Sequence, residues 1–282
     1  MRSAPIRFWQ RPPASIGLAL GLALALLSST PSRLLAAPPD MSTLMKKMKA
    51  ALEPTRPSTR KIVVAVTSGG TTVEWTAAQA RKELPDGKRV LTVALAPEGI
   101  QGVALLDWER AEPPQKQWVY LPALRRVREI FPVAAFEPFL DTDFTYYDLG
   151  FVELDARGFT FLGEETHDGV RSYKIQQIPR NPWYYSRIVT WVAADTFHPL
   201  ERDYYDPAKQ LWKIERFENI TTIDGVPTAL KIVMKDVQQG GSSELRVSNV
   251  RYDVDVANEI FNPDFLAKAA SHPLWEPFRH ST

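Results

Sequence analysis

Cysteine is missing altogether from the 282 residues. A chain without thiols can form no disulfide and cannot carry the lipid-modified cysteine of an anchored lipoprotein, so its stability has to come from its core. Histidine is scarce too: His167, His198, His272 and His280 are the four copies. None stands at a spacing that pairs it with a nucleophile or a second metal ligand. The Gly-x-Ser-x-Gly pattern of a nucleophile elbow is absent around Ser68-Gly69-Gly70, which reads as a turn. Excess charge is lacking as well. Without residues 1–37, which hold four arginines and no acid, 34 Lys and Arg become 30 against 33 Asp and Glu, a net charge of about −3. That balance gives no basic field for nucleic acid. These absences lead to the expectation of a non-catalytic protein with no metal and no cofactor.

The first segment has the order of a secretory signal peptide: Arg2, Arg7 and Arg11, then the apolar run from Ile16 to Leu27, then small residues ending at Ala36 and Ala37. The run is too short to cross a bilayer as a stable helix. The expectation is therefore a cleaved signal over residues 1–37 and a protein exported to the periplasm, with an uncleaved anchor as the alternative. Met41, Leu44, Met45, Met48 and Leu52 then recur at intervals of three and four, with Lys46, Lys47 and Lys49 opposite, which predicts an amphipathic helix ended by Pro54.

From Lys61 onward the apolar period is two. Short β-rich runs follow one another, separated by Ser68-Gly69-Gly70-Thr71, Pro85-Asp86-Gly87-Lys88, His167-Asp168-Gly169 and Ile223-Asp224-Gly225. These are hairpin turns, and strands in sequence without alternating helices predict an antiparallel meander. Trp75, Leu91, Val93, Leu95, Val189, Trp191, Ile232, Met234 and Val254 are the candidates for its inner face. A single sheet of that many strands must curl. The residues after Phe265, with Pro273 and Pro277, read as a loosely held tail over 266–282.

Between the two halves of the meander runs WVYLPALRRVREIFPVAAFEPFLDTDFTYYDLGF, Trp118 to Phe151. Trp118 to Leu121 reads as a strand closed by Pro122, and Leu124 to Ile130 as a second one that carries Arg125, Arg126 and Arg128. These arginines are either a wet strand face or contacts for an anionic headgroup or acidic partner. Phe131, Phe136, Phe139, Phe144, Tyr146 and Tyr147 are too aromatic for a solvated loop and too interrupted by proline and aspartate for a strand. They read as a cover across the sheet, with Asp141 or Asp143 capping a helical turn through Phe144 to Leu149.

This WxYLPALxRVRxI run, followed by an aromatic loop and a DFTYxDL turn, resembles the periplasmic LolA-like proteins of the outer membrane lipoprotein-sorting type. The likeness extends from Pro97–Leu106 through Arg187–Trp191 to Leu200–Lys213, and it departs at Asp141-Thr142-Asp143-Phe144 and at Gln101-Gly102. The resemblance implies a mainly β fold with a few helices. Its form would be an incomplete antiparallel barrel, a strongly curved single sheet whose concave face is covered by helices and an aromatic loop, over residues 38–265 as one domain. It also implies a non-catalytic carrier or acceptor of lipid or lipoprotein acyl chains. The candidate lid and cavity residues are the six aromatics above with Trp75, Leu91, Val93 and Trp191. An envelope transporter or outer-membrane acceptor would be the partner. The alternative is an interaction accessory of an envelope transporter or stress sensor, built on the same fold with a filled core.

Overall fold

The computed structural model describes residues 39–52, 54–110, 115–150, 158–180 and 183–279; the expected signal segment and Phe151 lie outside the described residues. The predicted helix is α1 (Met41–Leu52), capped by Asp40, whose carboxylate accepts from the Thr43 amide at 3.0 Å. Thirteen strands follow. They are β1 (Ser58–Ser68), β2 (Thr71–Leu84), β3 (Gly87–Ala96), β4 (Ala104–Arg110), β5 (Lys116–Leu121), β6 (Arg126–Glu129), β7 (Phe159–His167), β8 (Val170–Gln177), β9 (Arg187–Ala193), β10 (Pro199–Tyr205), β11 (Leu211–Ile223), β12 (Val226–Asp236) and β13 (Ser242–Tyr252).

They form one antiparallel sheet in the order β6-β5-β4-β3-β2-β1-β13-β12-β11-β10-β9-β8-β7. Each strand pairs with its neighbour in sequence except at two places: β1 pairs with β13, and β6 does not pair with β7. The sheet is thus a run of hairpins left open between β6 and β7, and residues 130–150, the bridging segment, follow β6 across its inner side. Asp224 and Gly225, with φ of 49° and 81°, make the two-residue turn that their dipeptide predicts, the backbone twist that matches a hairpin.

The sheet is curved. Arg81 on β2 and Arg202 on β10 line one cavity, yet in a flat sheet five strand spacings would set them roughly 24 Å apart. On the inner side Ile62, Trp75, Ala77, Leu105 and Val119 pack under Phe139 and Tyr146 of the bridging segment. Farther round, Ile188, Tyr204 and Met234 pack under Phe144. Leu44, Met45 and Met48 of α1 lie on Tyr173, Ile175 and Val192.

The outer side departs from the sequence-based picture. Leu91, Val93 and Leu95 are buried there with Ala78, Ala80 and Leu106, beneath Val256, Ile260, Phe261, Leu266, Trp275 and Phe278. The segment that reads as a loose tail is a second covering layer, with Trp275 fully buried and its indole donating to the Ala269 carbonyl at 2.7 Å. Trp108 on β4 donates to the Phe261 carbonyl at 2.9 Å and ties that layer to the sheet. Because β2 to β5 are covered on both faces, their strands are apolar at both parities, and alternation alone cannot tell which set faces in.

Candidate functional site

The bridging segment begins beyond β6. Phe131 and Val133 are 68% and 76% exposed, so Phe131 lines no cavity, contrary to its place among the lid residues. From Phe136 on, the chain turns inward. Phe136 stacks on Tyr147 with ring centres 5.0 Å apart and meets Trp183 and Tyr184 at 4.7 and 4.6 Å. Phe139 lies edge-on to Trp75 at 6.0 Å and to Tyr146 at 5.5 Å. The helical turn Tyr146–Leu149 is capped by Thr145, not by Asp141 or Asp143. Thr145 and Asp148 form a reciprocal capping box, which places a β-branched hydroxyl where the earlier aspartates are expected.

Three anchors hold the segment to the sheet. The Asp143 amide donates to Ser243 Oγ at 2.8 Å, and that hydroxyl donates to Asp143 Oδ2 at 2.6 Å. Lys213 Nζ donates to the Asp143 carbonyl at 2.6 Å. Asp148 Oδ2 accepts from the Thr145 amide, the Thr145 hydroxyl and the Tyr185 hydroxyl at 2.9, 2.8 and 3.1 Å. The Trp183-Tyr184-Tyr185 run that receives Phe136 and Tyr147 is absent from the sequence-based candidates. Its signal is three consecutive aromatics after Pro182, in a loop where solvation alone would favour polar side chains.

Two cavities lie between segment and sheet. The smaller, about 50 Å³, is mostly apolar, lined by Ile62, Val64, Trp75, Phe139 and Phe144, with Asp107 and Gln79 among its polar residues. The larger, about 160 Å³, has Phe144, Leu149, Ile232 and Val247 on its apolar side and Arg60, Arg81, Arg202 and Glu215 on its polar side. Phe144 and Leu149 line both. Pockets for small organic ligands run to about 300–1,000 Å³, so in this closed form neither cavity holds a whole acyl chain.

The polar side of the larger cavity is buried. Arg202 Nη1 donates to Glu215 at 3.1 Å, and the Tyr204 hydroxyl donates to the same carboxylate oxygen at 2.7 Å. Desolvation raises Glu215, and burial together with the Glu215 charge drives Tyr204 well above its ordinary range. Burial, helped by the neighbouring Arg81 charge, pulls Arg60 down to about 9, which leaves it cationic at neutral pH. Burial lowers His198.

The remaining candidates lie elsewhere. Leu91 and Val93 belong to the outer layer described above. Trp191 also faces outward: it stacks on His167 at 4.6 Å and donates to Glu165 at 2.6 Å. Arg126 and Arg128 stand on β6, whereas Leu124 lies in the preceding turn and Arg125 adopts a left-handed φ of 49°, so the second strand starts later than its alternation predicts. All three arginines are exposed, with Arg128 Nη2 3.4 Å from Glu137. His167 and Asp168 are joined by Glu201 from β10, their ligand atoms within 4.8 Å. Arg216 Nε stands 2.7 Å from Glu201, so a guanidinium already serves this acid.

A family model described as an uncharacterized protein matches residues 86–268. No curated protein matches the chain. Among solved structures, a DUF1329 family protein from Desulfovibrio piger ATCC 29098 is 28% identical with a TM-score of 0.74, over 80% of this chain and 97% of its own. A candidate outer membrane lipoprotein-sorting protein domain from Vibrio parahaemolyticus is 27% identical with a TM-score of 0.74, over 80% and 97%. A LolA superfamily protein from Nitrosomonas europaea shares the fold at 19% identity and a TM-score of 0.63, over 80% and 98%.

Proposed function

We propose a carrier role on the premise that this chain belongs to the LolA-like family, of the outer membrane lipoprotein-sorting type. The protein takes up lipid or lipoprotein acyl chains on the inner face of its sheet, without catalysis, in the periplasm, to which residues 1–37 direct it. Among the described residues no helix is long and apolar enough to cross a membrane. The observation that carries the reading is the bridging segment, which follows β6 across the inner side of the sheet and lines two cavities with Phe139, Phe144 and Leu149. Displacing it would join those cavities into one trough with a continuous apolar wall. Each buried methylene then contributes about 0.8 kcal/mol, so a long chain binds usefully with no further chemistry. The exposed Arg125 and Arg126, beside the exposed Leu124 and Phe131, supply a face for the acidic headgroups of a membrane.

The small closed cavities favour a second reading, an interaction accessory of an envelope transporter whose core stays filled. Mass spectrometry of lipid extracted from protein purified from the periplasm separates the two. A stoichiometric acyl species supports the carrier, and lipid-free protein that takes up no added fatty acid refutes it.

A further inference from the structure

The larger cavity is not built like a plain acyl slot. Arg60 and Arg202 are only 8% and 4% exposed, and both line it, from β1 and β10. Arg60 Nε and Arg202 Nη2 are buried donors that have no hydrogen-bond acceptor, although Arg202 spends another nitrogen on Glu215. Native proteins leave few buried donors unserved, because each costs about 1–3 kcal/mol, more for a charged group. Two carboxylates, Asp148 and Glu215, line the same space. Glu215 is held by Arg202 and Tyr204, Asp148 Oδ2 accepts from Thr145 and Tyr185 while Asp148 Oδ1 has no partner, and Arg60 Nη2 donates to Ser58 Oγ at 3.3 Å, so the two unserved guanidinium nitrogens are not answered by either acid. Opposite these polar groups the wall is hydrocarbon, formed by Phe144, Leu149, Ile232 and Val247.

Resting on the carrier reading, we infer that the cavity selects an amphiphile with an anionic head, a carboxylate or a phosphate ester on an acyl chain, whose head accepts from Arg60 and Arg202. The chain runs from there past Phe144 into the smaller, mostly apolar cavity that Phe144 also borders. A guanidinium matches the planar carboxylate and the phosphate oxygens alike, and a charge-assisted bond is roughly twice as strong as a neutral one. An uncharged acyl group of the same length fills the hydrocarbon side equally well but leaves both donors unserved, which is the larger source of discrimination in a buried site.

The test uses the wild-type mature protein with palmitate, methyl palmitate and a palmitoyl lysophosphatidate, each displacing an uncharged fluorescent acyl probe. Palmitate or the lysophosphatidate is expected to bind at least about tenfold more tightly than methyl palmitate, and whichever is tighter identifies the head. Arg60→Gln, shown to be folded by near-ultraviolet circular dichroism, is expected to lose most of that preference while keeping its affinity for the ester. Equal binding of acid and ester to the wild-type protein overturns the anionic head and leaves the carrier standing. An unchanged preference in both Arg60→Gln and the paired variant Arg202→Met with Glu215→Gln also overturns it. Failure of all three lipids to displace the probe, or of the probe to bind, overturns the carrier as well.

Discussion

Ser243 and Asp143, a hundred residues apart in sequence, hold each other by two hydrogen bonds: amide to hydroxyl at 2.8 Å and hydroxyl to carboxylate at 2.6 Å. The serine is fully buried on β13, the middle strand of the sheet, and the aspartate is where the bridging segment is hydrogen-bonded to it. Ser243→Ala removes both bonds and leaves a partly buried carboxylate and an amide to find water. The expected cost is about 1–2 kcal/mol in a urea melt. In stopped-flow experiments a fluorescent fatty-acid probe should enter the variant faster, since the bond favours only the closed state. Unchanged entry would mean that Asp143 does not latch the segment.

The lid is tested more directly by Phe139→Ala and Phe144→Ala. Both rings are buried against the inner sheet, so each truncation is expected to destabilise by up to about 3–5 kcal/mol. Stability alone does not distinguish a lid from core. Val254→Ala serves as the control, because Val254 packs in the outer layer and borders neither cavity. The lid variants are expected to change the rate or affinity of probe binding and the control to leave both as in wild type. Identical probe binding in all three would make the segment ordinary core.

Trp275→Ala probes the outer layer. The side chain is fully buried and its indole is bonded to Ala269, so its loss is expected to cost about 3–5 kcal/mol in a chemical melt. A cost below about 1 kcal/mol would restore the picture of a loose tail.

Much of the sheet is legible in the sequence because β1–β2, β2–β3, β7–β8 and β11–β12 carry their own turn residues and the strands pair with their neighbours in order. The β1–β13 pairing is not, since no local signal reports a contact between strands at opposite ends of the domain. Face assignment fails where two layers cover one strand: Leu91 and Val93 alternate as inner residues should, but Trp275 and Phe278, read as tail, cover them instead. Trp191 fails for another reason. Its buried outward position comes from His167, Lys174 and Glu165, and only the register brings these together. In the site, the aromatics from Phe136 to Tyr147 stand out in sequence. Arg60, Arg202 and Glu215 do not, because an ionic side chain in a strand looks solvent-facing until the curled sheet shows which side is enclosed.

Arg125→Glu combined with Arg126→Glu tests the exposed face. Neither residue supports the core, so stability is expected to shift by less than about 0.5 kcal/mol. Binding to vesicles that contain phosphatidylglycerol is expected to fall, and wild-type binding should weaken as salt is raised. Equal binding of wild type and double variant, at low salt, would remove the membrane from the role of this face.

Asp107 links acidity to the same trough. It is buried on β4 beside Gln117, whose Nε2 donates to Oδ1 at 2.6 Å. Burial raises its carboxyl to about 7, against the smaller opposing effects of Gln117 and the Arg81 charge. In the unfolded chain the group loses its proton near the ordinary value of 3.8, whereas in the folded protein it keeps the proton until about 7. Between those values the folded state binds more protons, so stability falls as pH rises, by up to about 1.4 kcal/mol per pH unit, and levels off above 7. Asp203, raised to about 6 by burial and the Glu201 charge, adds a slope of the same sign over a shorter window. Asp107→Asn keeps an acceptor for Gln117 and cannot ionise. Urea melts from pH 4 to 8 are expected to show a flatter profile for this variant than for wild type, with the gap widest at pH 8. Parallel profiles would show that Asp107 titrates near its ordinary value. Because Asp107 lines the smaller cavity, its ionisation sets a charge beside the acyl trough, and wild-type affinity for a neutral acyl probe is expected to drop above pH 7 while that of Asp107→Asn does not.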